Sequence, residues 1–199
     1  MSTSSETEYA LENSDADHPS INQTLLQGEI TSFSQFVDHL GDLPALKRIL
    51  SLNRTIHSMA SLYQATHIEL TGSGFNFLFA TPHNALSTAV SIQRFLQVER
   101  EDCAGHPVSM RIAAHCGQVY LCDSAPFGSQ VVLTAALVRC GAPNEIIVSE
   151  QTQRLLPSDW EGTIGHRRTS YLAGASGETA FYSVNWKEIC KLFYPQLSS

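Results

Sequence analysis

His115, Cys116 and Cys122 offer imidazole and thiolate, the ligands of a soft metal ion, within one short stretch of the chain. Their spacing argues against a shared metal. The stretch alternates like a strand, and strand neighbours point to opposite faces, so His115 and Cys116 are turned apart. The chain has five cysteines, Cys103, Cys116, Cys122, Cys140 and Cys190, an odd number with no C-x-x-C pair. That usage reads as reduced thiols, several of them in the core, rather than a disulfide framework.

Charge narrows the classes further. The net charge is −7, and residues 1–20 hold five acids with no lysine or arginine. The remainder is close to neutral, so no clustered positive surface is available for a nucleic acid. No apolar run reaches the ~18–20 residues that cross a bilayer. The polar, acidic start lacks the basic-then-apolar order of a secretory signal. We therefore expect a cytoplasmic protein with neither a nucleic-acid nor a membrane partner.

The elements that position these residues follow from periodicity. Residues 1–22 are rich in Ser, Thr, Glu, Asp and Asn and are expected to form a disordered acidic tail, with ordered structure starting near Leu25. Leu25 to Ile30 reads as a buried strand, followed by a Ser/Thr turn into a short helix that Gly41–Pro44 breaks. Leu46, Ile49, Leu50, Ile56, Met59, Ala60 and Tyr63 recur at helical spacing. Two apolar runs, His67 to Leu70 and Phe75 to Ala80, flank Gly72-Ser73-Gly74 and predict a tight hairpin. Pro82 starts a second long helix. Val108 to Ala114 and Gln118 to Cys122 are expected as two strands joined near Gly117. A helix opens at Gly128, a strand covers Glu145 to Val148, and a short helix covers Gln151 to Leu156. A last strand pair, Arg167 to Tyr171 and Thr179 to Val184, precedes a terminal helix over Trp186 to Tyr194. Hairpins among the alternating elements favour an α+β class.

In order and spacing these segments resemble the class III adenylyl/guanylyl cyclase catalytic domain. Glu29-Ile30-Thr31-Ser32-Phe33-Ser34 is similar to the family's opening strand and turn, and Glu69 to Phe79 to its Gly-Asp-Gly hairpin. Met110-Arg111-Ile112 to Gly117-Gln118-Val119 resembles its Arg-Ile-Gly-x-His-x-Gly-x-Val segment. Gly128 to Val131 resembles the start of its Gly-x-x-Val-Asn-x-Ala-x-Arg helix, and Leu172-Ala173-Gly174 its last motif. The resemblance implies a ferredoxin-like βαββαβ core with a C-terminal αβ extension over residues 23–187, followed by a helix and tail over 188–199. It also implies head-to-tail pairing, as a homodimer or with another cyclase-like domain or signalling protein, and active sites that draw on both partners.

The chemistry that the resemblance implies is largely missing. The reaction attacks an α-phosphate with a ribose hydroxyl between two divalent ions, which need carboxylate oxygens. The two metal-binding aspartates match Glu29 and Ser73, so half or more of that negative charge is gone. The transition-state Asn and Arg match Val132 and Ala136, which neither hydrogen-bond nor carry charge. Losing one such preorganised group costs on the order of 10²–10³ in rate. The phosphate-contacting Lys matches Ala173 and the base-reading Asp matches Ala125. Glu69 stands where guanylyl cyclases carry a guanine-reading Glu, and is otherwise a solvated strand-end acid. Arg139, three residues beyond Ala136, is a candidate nucleotide contact or a surface Arg favoured by the helix dipole. His115 is expected to pack in the core or at a dimer interface. The expectation is a catalytically inactive, pseudocyclase-like module. Magnesium or manganese enters only where nucleotide binding is retained. The alternative is an active purine nucleotide cyclase with atypical residues.

Overall fold

Strand β1 (Ser20–Ile30) organises the molecule. The computed structural model describes residues 20–102, 107–122 and 125–193. Alternation along β1 sends Leu26 and Ile30 to one face and Leu25, Gln27 and Glu29 to the other. Two neighbours pair with it antiparallel, β3 (Gly74–Phe79) on one side and β4 (Met110–Cys122) on the other. Strand β2 (His67–Leu70) completes the hairpin with β3. Helices α1 (Phe33–Leu40) and α2 (Asp42–Leu62) connect β1 to β2, and α3 (Pro82–Asp102) connects β3 to β4. The resulting order, β2-β3-β1-β4, is the expected ferredoxin-like core.

The C-terminal extension continues the same sheet. Strand β5 (Ala125–Phe127) folds back on the end of β4, and α4 (Ser129–Arg139) returns the chain to β6 (Ile146–Ser149), parallel to β4. Helix α5 (Glu150–Leu155) and a 3-10 turn (Ser158–Thr163) lead to β7 (Ile164–Tyr171) and β8 (Glu178–Val184). The full order is β2-β3-β1-β4-β6-β8-β7, with α6 (Trp186–Phe193) after it. No described helix is long and apolar enough to cross a membrane.

Two layers of side chains hold the sheet. Helices α2 and α3 cover one face, where Ile49, Leu52, Ile56, Leu86 and Ile92 meet Leu26, Phe77, Phe79 and Ile112. On the other face Leu137 and Val138 of α4 close over Ala113, Ile147 and Phe181. Burying each large aliphatic or aromatic side chain contributes about 1.5–3 kcal/mol, which is why apolar periodicity predicts these elements well.

Two expectations are corrected. The strands foreseen on either side of Gly117 are one strand, because every residue from Met110 to Tyr120 pairs with β1. Gly117 does not turn the chain; it lets the Gln130 side chain of α4 approach, and a Cβ there would lie 2.9 Å from Gln130 Cγ. Ser20, Ile21 and Asn22, expected in the tail ahead of ordered structure near Leu25, belong to β1 and pair with Tyr120, Val119 and Gln118. The rest of the expected tail, residues 1–19, lies outside the described residues, as does Tyr194 at the expected end of α6. Strand β5 and the 3-10 turn were not foreseen: both are short, and tertiary packing rather than periodicity fixes them.

Candidate functional site

A cleft of about 340 Å³ lies between β1, the β2–β3 turn and α4. Its floor is the α4-facing side of the sheet, where cross-strand register sets Gln27 opposite Asn76, and Asn76 opposite Glu69. Glu29 and Ser73 are brought together. Gly74 pairs with Glu29, and Ile30 N donates to Ser73 O at 2.7 Å. This approach depends on Gly74, since a Cβ there would collide with the Gly28 carbonyl oxygen. The fourth wall is one stripe of α4: Val131, Ala135, Val138 and Arg139.

The charge distribution decides what this cleft can do. Glu29 is not an open metal ligand. Its Oε2 accepts from Arg111 Nη2 at 2.7 Å and from Arg111 Nε at 3.1 Å. Arg111 sits directly across the β1–β4 ladder. As a half-exposed ion pair this adds at most about 1 kcal/mol to stability, yet it commits one carboxylate oxygen and offsets its charge. Ser73 supplies no charge. Magnesium requires near-octahedral oxygen ligation, usually with one or two carboxylates. Among the described residues no group of three His, Cys, Asp or Glu side chains is placed to hold a metal. The donor set here does not fit magnesium or manganese.

Two further groups line the cleft. Gln27 is only 6% exposed, and its Oε1 has no hydrogen-bond partner. Arg139 lies on the last turn of α4, and its side chain makes no ion pair or hydrogen bond with the described residues. Glu69 is not among the lining residues; its Oε2 accepts at 2.8 Å from Nδ2 of Asn76, which is.

The remaining positions lie elsewhere. Val132 is 51% exposed and Ala136 is buried, and neither lines the cleft. Ala125 is exposed at the start of β5, and Ala173 is exposed in the β7–β8 loop. Gln27, Asn76 and Arg111 were not singled out as site groups. The available signal was the pair of polar residues two apart, Gln27 and Glu29, in an otherwise buried strand.

His115 anchors α4 from beneath. Gln130 Oε1 lies 2.5 Å from Nε2 and Ser149 Oγ lies 2.8 Å from Nδ1, so Nε2 carries the hydrogen and Ser149 donates. Ser149 Oγ in turn lies 2.9 Å from Thr152 Oγ1, which accepts from Cys116 N at 2.8 Å. Burial holds the His115 pKa below its ordinary value, against an upward pull from Gln130. Burial pushes the Cys116 thiol up, and Thr24 and Thr152 oppose that. The two side chains are turned apart, as expected. Cys122 is exposed at the end of β4. A second cavity, of about 240 Å³, opens on the opposite face of the sheet among α3, the 3-10 turn and α6, and shares no residue with the cleft.

The family model described as the adenylate and guanylate cyclase catalytic domain matches residues 17–185. Solved structures agree in fold. The adenylyl cyclase CyaB from P. aeruginosa is 17% identical with a TM-score of 0.73, covering 84% of this chain and 95% of that one. An adenylate/guanylate cyclase/hydrolase from Silicibacter pomeroyi is 20% identical at 0.72, covering 83% and 97%. The non-canonical dimeric guanylyl cyclase domain of the RhoGC fusion protein from the aquatic fungus Blastocladiella emersonii is 16% identical at 0.67, also covering 83% and 97%. No curated protein sequence matches the chain.

Proposed function

This chain belongs to the adenylate and guanylate cyclase catalytic domain family, and from that premise we propose that it is a catalytically inactive member that acts by pairing. The observation that carries this reading is Ser73, which lies against Glu29 in the cleft lining and brings no carboxylate to it. Glu29, the one carboxylate among the described lining residues, is engaged by Arg111, and the second position matched to a metal ligand is Ser73. Without a divalent clamp, neither the attacking hydroxyl nor the departing pyrophosphate is stabilised. The positions matched to the transition-state pair add nothing, because Val132 and Ala136 have no polar group to give to any site.

Pairing is supported by the surface around the start of α4. Tyr120 and Phe127 face each other across the β4–β5 ladder, 46% and 68% exposed, and Val132 lies one turn into α4 from Gly128. Exposed aromatic and aliphatic side chains grouped in this way mark contact surfaces. The related fungal domain is dimeric. The partner is a second copy of this chain, another cyclase-like domain or a signalling protein, and the reading places the protein in the cytoplasm.

Sedimentation velocity over a concentration series tests the pairing. Phe127→Asp is expected to weaken self-association at least tenfold with an unchanged melting temperature, because it puts a charge into a desolvated apolar contact. A wild-type chain that stays monomeric throughout, or a dimer indifferent to Phe127→Asp, contradicts self-pairing through this surface.

A further inference from the structure

We propose that the second cavity, on the sheet face opposite the cleft, binds a small carboxylate with a ring-sized apolar body. It shares no residue with the cleft or with Tyr120, Phe127 and Val132, so it stands whether or not the chain turns over a nucleotide. Its floor is apolar. Val90 of α3, Trp160 of the 3-10 turn and Ile189 of α6 all line it and are all buried. An apolar cavity of about 150 Å³ already takes one benzene ring. The 240 Å³ here has room for a ring and a polar head.

The other wall is a polar stripe of α3. His83, Ser87, Ser91 and Arg94 recur every three or four residues, which places them on one side of the helix. Three lining groups keep a hydrogen to donate. Ser91 Oγ donates to Tyr63 Oη at 3.2 Å, so the Tyr63 hydroxyl hydrogen has no acceptor among the described residues. Ser87 Oγ has no partner among them either, whereas its neighbour Thr88 donates back to Asn84 O at 2.9 Å. Trp160 Nε1 donates to His83 Nδ1 at 3.1 Å, which puts the His83 hydrogen on Nε2. Half-buried hydroxyls without an acceptor gain when a ligand oxygen meets them. Arg94 adds a positive charge to the same wall. Asp159, the one acid among the described lining residues, is exposed, and solvent screens it. Donors beside an Arg select an acceptor-rich anion, and the buried floor selects a ring. One Arg matches one negative charge, which favours a carboxylate over a phosphate.

Isothermal titration and ligand-detected NMR of the full chain test this with phenylacetate, 3-phenylpropionate and indole-3-acetate, each beside its neutral amide. At least one carboxylate is expected to bind about tenfold to a hundredfold tighter than its amide, the value of a charged hydrogen bond. Ser87→Ala is expected to weaken binding about two- to tenfold through loss of one donor. Ser87→Leu is expected to abolish binding by filling the cavity. Arg94→Gln is expected to erase the preference for carboxylate over amide while the ring still binds, a split that a merely structural role would not produce. Circular dichroism checks that the variants fold, and Ser87→Ala carries the test if the larger side chain unfolds the chain. No binding of any of the three carboxylates, amides that bind as tightly, or binding indifferent to both Ser87 variants overturns the proposal.

Discussion

Glu29 shows how a residue matched to a metal ligand can be drawn into a structural ion pair. In the sequence it reads as a conservative exchange for a metal-binding aspartate. In the structure its carboxylate answers Arg111, a residue 82 positions away, through the cross-strand register of β1 and β4. Nothing local to Glu29 encodes that partner, so the missing charge was legible at Ser73 and the Glu29–Arg111 pair was not. His115 is the converse case, a potentially reactive side chain fully used in structure. Its folded pKa lies below the ordinary 6.5 of the unfolded chain because burial disfavours the imidazolium. The unfolded state therefore takes up a proton first, and stability falls as pH drops through 6.5 toward the folded value. One such group contributes at most about 1.4 kcal/mol per pH unit. Urea unfolding from pH 7.5 to 5.5 should show a steeper loss for the wild type than for His115→Gln, which keeps hydrogen-bonding capacity without titrating. Equal slopes would mean that His115 protonates as readily folded as unfolded.

Among the elements, the hairpin and α4 decide whether the cleft exists. The β2–β3 turn was legible from Gly72-Ser73-Gly74 between two apolar runs, but its two glycines have different roles. Gly74 is pressed against the Gly28 carbonyl, whereas a Cβ at Gly72 would meet nothing within 4 Å. Gly74→Ala should cost about 1–3 kcal/mol in urea unfolding through overpacking, and Gly72→Ala should stay within about 0.5 kcal/mol. Similar costs for both would contradict the close approach that carries Ser73 to Glu29. For α4, its start at Gly128 was visible and its rotational phase was not. The stripe Val131, Ala135, Val138 and Arg139 faces the cleft because Leu137 and Val138 must also meet Ala113 and Ile147 on the sheet. Tertiary packing sets that phase, since every face of this helix carries apolar residues. Strand β4 teaches the same lesson: a glycine that reads as a joint is overridden by an unbroken ladder to β1.

The whole molecule combines a retained scaffold with altered chemistry. One sheet in the order β2-β3-β1-β4-β6-β8-β7, with helices on both faces, keeps the architecture of the cyclase catalytic domain. That architecture was readable because core positions obey periodicity and a few tight glycines. The site was only partly readable, because its balance of charge depends on which strands become neighbours. On this account the scaffold presents an apolar contact surface near α4 and a cleft whose described lining lacks the carboxylate pair that metal-assisted catalysis needs. The central claim is the absence of turnover. Incubating the purified chain with manganese and either ATP or GTP, and measuring 3′,5′-cyclic nucleotide by mass spectrometry, tests it most directly. The account predicts no cyclic product above a boiled control. Product above that control, abolished by Glu29→Ala, would contradict it and make this chain an active cyclase with atypical residues.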